Sequence, residues 1–315
     1  MENLIYSFNA TVPVFIVIIV GYMLKKIGWI NEEFIKAANK INFRITLPIL
    51  LIQDLMQTDF HQEFDGKLII FCATVTSICF LGSWIGAKLL LKDTEITGEF
   101  VQASFRSSAA VLGAAFVVNI YGNTGMVPLM IIGAVPLYNI YSVIVLSAEC
   151  PQKGVTQEKT IITTLKGIIT NPIIIGIIIG VLLSVFQVDF PKVVDNTMTN
   201  FAKISTPLAL LAIGGAFDFG KAIKKVIPAA VATFLKLVGF AAIFLPLAIY
   251  IGFREEKLMA LIIMLGSPTT PSCFIMAKSM KSEGTLTSSV VVLSTMLSAF
   301  TLTTIIFIVK SLGYL

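Results

Sequence analysis

The stretch Leu261–Met280, reading LIIMLGSPTTPSCFIMAKSM, limits the fold more than any other. It is apolar enough to enter a membrane, yet its centre holds both Pro268 and Pro271. Each proline removes a backbone donor and clashes with the carbonyl one turn back, so a continuous helix cannot run through both. In hydrocarbon the freed backbone groups must be satisfied internally or line a polar cavity. Gly266, Ser267, Thr269, Thr270 and Ser272 surround the prolines. Broken helices of this composition hold the ligand in many secondary transporters. The plainer reading is a kinked span that only packs.

The rest of the chain fits a membrane setting. Its 315 residues are 56% hydrophobic and 13% charged, where a soluble globule carries about 25% charge. The mean hydropathy is +0.91. Spans of about 20 residues then predict an all-α polytopic membrane protein with ten transmembrane helices. They fall near 10–27, 37–56, 68–91, 100–120, 126–147, 161–186, 198–217, 226–249, 258–280 and 286–309. Lysines crowd the loops after odd-numbered spans, from Lys25 and Lys26 to Lys278 and Lys281. The positive-inside rule then puts both termini on the non-cytoplasmic side of a multi-pass cell-membrane protein. No cleaved leader is expected, since the first basic residues follow the first span. The net charge of +5 sits at span ends and gives no nucleic-acid signal. Cys72, Cys79, Cys150 and Cys273 lack metal-ligand spacing and read as packing residues. No cofactor or metal is expected.

The chain also repeats itself at one common spacing. RITLP at Arg44–Pro48 matches KISTP at Lys203–Pro207, Pro13 matches Pro172, and Gly21 matches Gly180. Five spans per copy would invert the second copy, so residues 1–157 and 158–315 read as two inverted five-helix repeats. Leu261–Met280 then pairs with Gln102–Tyr121, and broken helices 4 and 9 are expected to cross. The partner segment contributes Arg106, Ser107, Ser108, Gly113 and Asn119.

Arg106 is the sharpest signal among these. A charge within a span is expensive and usually faces a cavity or a partner. A guanidinium matches a carboxylate with two parallel hydrogen bonds. Snorkelling to the headgroups is the competing reading. Asn139, beside Pro136 and Tyr138, needs a hydrogen-bond partner. Lys236 could neutralise an anion or snorkel. Asn39 and Asn42 read as polar packing, and Asp54 and Glu149 as weak titrating groups. The expected substrate site is therefore Arg106, Ser107, Ser108, Gly113, Asn119, Asn139 and Gly266 to Ser272, including Pro268 and Pro271. No Asp or Glu lies in the two paired segments, so a carboxylate-built sodium site is not evident. No phosphate loop, zinc-protease motif or nucleophile elbow is present, and no enzyme is expected.

RITLP, KISTPLALLAIGG at Lys203–Gly215, LGSPTTPSCFIMAKSM and LSTMLSAFTL at Leu293–Leu302 resemble the auxin efflux carrier family, which includes plant PIN-type carriers and bacterial malate-permease-like members. The resemblance implies a fold related to bile acid/sodium symporters. Residues 10–56 and 161–217 would form a scaffold, and 68–147 and 226–309 a transport domain. It further implies elevator-type movement of small organic anions and homodimers joined through the scaffold. H+ and Na+ both remain open as coupling ions. A sodium-coupled symporter of the bile-acid type, and a non-transporting membrane sensor or scaffold protein, are the alternatives.

Overall fold

The structure is a computed structural model, and it describes residues 2–56, 65–91, 93–109, 117, 125–149 and 169–315. These residues are almost wholly helical. Helix α1 (Glu2–Lys26) ends in Lys25 and Lys26, which face the negative end of its dipole. Asn31 then caps α2 (Glu32–Ile41), its side chain accepting the Phe34 N–H at 2.9 Å. The chain widens into a π turn, Asn42–Thr46, before α3 (Leu47–Met56). Pro48 cannot donate to the ladder, and the wide turn lies where that rung is missing.

Asp65 caps α4 (Gly66–Leu90) through the Leu68 N–H. A short 3-10 turn, Thr94–Ile96, leads into α5 (Thr97–Phe105), in which every residue is buried. Helix α6 (Val127–Glu149) contains Pro136. Asn171 caps α7 (Pro172–Val185), whose proline occupies the first turn, where no donor is needed. There follow α8 (Lys192–Ala216), α9 (Phe219–Lys224) and α10 (Val226–Ile251), the last with a π turn at Leu235–Gly239. Helix α11 (Glu255–Gly266) stops at the prolines, α12 (Ser272–Ser279) resumes after them, and α13 (Thr285–Ser311) closes the chain.

The helices pack in two groups, which meet along α1 and α13. In one, α1 lies on α8 and α3 lies between α7 and α8. A Cβ on Gly214 would stand 2.0 Å from the Ile18 carbonyl oxygen, so the α1 and α8 backbones approach as only glycine allows. In the other, α4, α5 and α6 pack together, and α10 and α11 lie against α13. Large apolar side chains remain exposed along both groups, among them Met23, Ile70, Ile85, Ile178, Ile243 and Phe307. Bands of exposed apolar surface on this scale suit lipid and not water. The chain is thus a multi-pass membrane protein.

The expectation of ten transmembrane helices in two inverted five-helix repeats is overturned. Among the described residues four helices are long and apolar enough to cross a membrane: Gly66–Leu90, Val127–Glu149, Val226–Ile251 and Thr285–Ser311. The architecture is an all-α helical bundle with those four long apolar helices. Hydropathy windows read composition and miss where the backbone stops. Glu255–Ser279 is two helices of 12 and 8 residues with an extended link. Pro172–Val185 is apolar but has 14 residues, about 21 Å at 1.5 Å per residue, against a hydrocarbon core of about 30 Å. Lys192, Asp195 and Lys203 interrupt the apolar character of α8.

Candidate functional site

The helix ending at Phe105 and the link between α11 and α12 meet inside the molecule. Arg106 leaves the helical region (φ −72°, ψ 143°). The Ser108 N–H donates to the Pro268 carbonyl at 2.8 Å. The Thr269 hydroxyl donates to the Ala103 carbonyl at 2.7 Å, and the Gln102 amide to the Cys273 carbonyl at 3.0 Å. The first two bonds satisfy backbone groups left free at the breaks, and the third ties α5 to the first turn of α12.

The arithmetic of the break is explicit. In an unbroken helix residue 268 would donate to Met264, but proline has no N–H. The Thr269 N–H, which a helix would give to Leu265, goes instead to the Ser294 hydroxyl at 3.1 Å. Both orphaned carbonyls are taken by Lys236. Its ammonium donates to Leu265 at 2.8 Å and to Met264 at 3.4 Å.

Arg106 is 3% exposed. One terminal nitrogen donates to the Asn139 side-chain oxygen at 2.9 Å and to the Ser272 hydroxyl at 2.8 Å. The other meets the Met276 thioether, a weak acceptor. Its Nε has no partner among the described residues, and none of the ion pairs between described residues involves Arg106. Asn139 is held in turn by its amide, which donates to the Val135 carbonyl at 2.9 Å.

A cavity of about 70 Å³ opens beside this cluster, between the two groups of helices. From one group come Arg106, Ser107, Ser108, Tyr138, Asn139, Thr270, Pro271 and Ser272. From the other come Asn42, Leu47, Leu51, Asp54, Ser205 and Thr206. Asn42 is fixed across that second wall: its amide donates to the Ser205 carbonyl at 2.7 Å, and its oxygen accepts from the Ser205 and Thr46 hydroxyls at 2.8 Å each. The volume admits a few waters or a small carboxylate and no drug-sized molecule.

Of the residues expected at a site, Arg106, Ser107, Ser108, Asn139, Thr270, Pro271 and Ser272 line this cavity. Gly266, Ser267, Pro268 and Thr269 do not. They form the packed back of the link, where a Cβ on Gly266 would stand 2.8 Å from Leu302 Cδ2. Gly113 and Asn119 lie outside the described residues. Asn42, read from sequence as polar packing, does pack, and it also lines the cavity with Asp54. Ser205 and Thr206 were not singled out, although they lie inside the KISTP motif. Glu99 was missed as well. It lies three residues ahead of the paired segment, buried at 1% exposure.

A family model described as membrane transport protein matches residues 6–306. An uncharacterized transporter of Escherichia coli (strain K12), YfdV, is 24% identical over 277 residues, covering 84% of this chain and 85% of that protein. An uncharacterized transporter of Methanothermobacter thermautotrophicus is 23% identical over 122 residues, 38% of this chain and 40% of that one.

Proposed function

The chain belongs to the membrane transport protein family, a family of transporters and not of enzymes, and from that premise we propose that it carries a small organic anion, with a carboxylate as the group it recognises. One observation supports this reading above the rest. Arg106 is a buried guanidinium beside a cavity, and its partners among the described residues are an amide oxygen, a hydroxyl and a thioether. Such a cation is expensive in a membrane interior unless an anion visits it. A carboxylate would accept two parallel hydrogen bonds from it. Ser107, Ser108, Thr270 and Ser272 would supply further donors.

The cavity lies between two helix groups, which supports alternating exposure by sliding of one group past the other. The helices that carry Arg106, Asn139 and Ser272 would move with the anion. Those that carry Asn42, Asp54 and Ser205 would stay. This division follows the scaffold and transport segments that the auxin efflux carrier resemblance implies. The sizes agree too, since a cavity this small suits short mono- and dicarboxylates.

The test is counterflow of labelled short carboxylates into liposomes containing the purified chain. Wild-type protein should accumulate at least one of them, and Arg106→Ala should reduce that flux to the level of empty liposomes. Arg106→Lys should retain a small fraction, because a point charge replaces the two-pronged donor. Normal flux by Arg106→Ala would remove the arginine from the site.

A further inference from the structure

Lys236 is a second buried cation, 2% exposed, in the π turn at Leu235–Gly239. That turn packs against α5, α11 and α13, at the centre of the group that carries Arg106. Among the described residues its ammonium is in no ion pair; its hydrogen bonds go to the Met264 and Leu265 carbonyls. These are two of the acceptors released where α11 ends. The Ser267 N–H still reaches Ile263 at 3.1 Å, so the ladder fails at residue 264 and not before.

A helix C-terminus carries roughly half a negative charge, and a cation there is favoured. Exposed carbonyls at interrupted helix ends are also the groups that coordinate alkali cations in secondary transporters. Here a side chain reaches that place first. The wide turn matters to the reach, because π turns shift the register of the side chains that follow and often mark functional positions.

We propose that Lys236 is a tethered cation, holding the carbonyls at the end of α11 where a free monovalent cation would otherwise bind, and that anion movement by this chain therefore needs no sodium. The second clause rests on the carrier reading above; the first does not. A carrier that holds its positive charge covalently gains no driving force from a sodium gradient.

The experiment has two arms. In the first, thermal unfolding of the purified chain is followed in choline, sodium and potassium chloride at equal ionic strength. Wild-type protein should unfold at one temperature in all three. Lys236→Gln and Lys236→Ala should unfold several degrees lower in choline and regain that loss, saturably, in sodium or potassium. Variants that respond alike to all three salts overturn the proposal. Should the variants be recovered from membranes only when an alkali cation is present, that supports it; recovery in none of the salts overturns it. In the second arm, wild-type flux in liposomes should be unchanged when choline replaces sodium at fixed pH and voltage. The variants' flux should fall in choline and return in the cation that restored their unfolding temperature. Sodium-dependent wild-type flux overturns the second clause. If no carboxylate moves at all, the carrier reading fails, while the first arm still decides the role of Lys236.

Discussion

Glu99 in the first turn of α5 holds the N-terminus of α13 through Thr287. One carboxylate oxygen accepts from the Thr287 N–H at 2.9 Å and from its hydroxyl at 3.0 Å. The other accepts from the Gly284 N–H at 2.7 Å and the Ser282 hydroxyl at 2.6 Å. A carboxylate from another helix thus occupies the capping place, where the dipole favours negative charge. Lys236 does the converse at the end of α11. Opposite charges borrowed from elsewhere in the chain close two helix ends that frame the Arg106 segment.

Glu99→Ala should therefore destabilise strongly. It strands the Gly284 and Thr287 N–H groups in a buried place and removes charge-assisted bonds, for a loss of about 2–4 kcal/mol. Glu99→Gln should lose less than Ala, since its oxygen can keep one pair of donors. Unfolding temperature in detergent checks both; an unchanged value for Glu99→Ala would show that water replaces the carboxylate.

Gly214→Ala should separate α1 from α8. Its Cβ would stand 2.0 Å from the Ile18 carbonyl oxygen and 2.9 Å from the Tyr22 nitrogen, and neither backbone atom can turn aside. Overpacking of this kind costs about 1–3 kcal/mol or more. Gly82→Ala is the control, because nothing lies within 4 Å of the position its Cβ would take. The expected result is lower yield and unfolding temperature for Gly214→Ala alone.

Different parts of this arrangement were open to sequence reasoning to different degrees. Pro268 and Pro271 announce a break because proline acts locally, through its missing N–H. Asn139 stands out because an amide in an apolar run needs a partner. That the partner is Arg106 depends on how two distant helices pack. Lys236 could be read as a cation in a span, but its acceptors are carbonyls 28 and 29 residues away. Carbonyls carry no residue-type signal. The number of crossing helices was misread for a related reason: the apolar runs on either side of Gly266–Ser272 add up to the length of one span, although neither helix alone is that long.

Acid should loosen the contact between α9 and the loop before α13. Glu283 accepts from Lys225 at 2.5 Å and Lys221 at 2.9 Å, and these bonds, Lys225's first, hold its carboxyl down at about 2 from an ordinary 4.5. Because the folded value is the lower one, the contribution is whole above pH 4.5 and is lost as pH falls from there toward 2. The carboxylate is 41% exposed, so solvent screening keeps the effect below about 1 kcal/mol. Glu283→Gln should unfold slightly earlier than wild type at pH 7, and the two unfolding temperatures should converge as pH falls through that window. A constant offset down to pH 2 would mean that the ion pairs contribute nothing.

Asn139→Asp gives the sharpest separation of folding from anion recognition. The Asn139 oxygen already lies 2.9 Å from an Arg106 nitrogen, so the substitution puts a carboxylate against the guanidinium with almost no change of shape. The amide's bond to the Val135 carbonyl is lost, at a cost of about 1 kcal/mol. Pairing a buried cation that otherwise meets neutral acceptors offsets that cost, because truncated or absent partners are what make buried charges expensive. The unfolding temperature should stay at or above the wild-type value. Flux should fall tenfold or more, since an incoming carboxylate would now meet a neutralised arginine and a like charge beside it. Asn139→Ala, which removes the acceptor without adding charge, should weaken apparent affinity only several-fold. If Asn139→Asp carries anions as well as wild type does, the substrate's charge is met somewhere other than at Arg106.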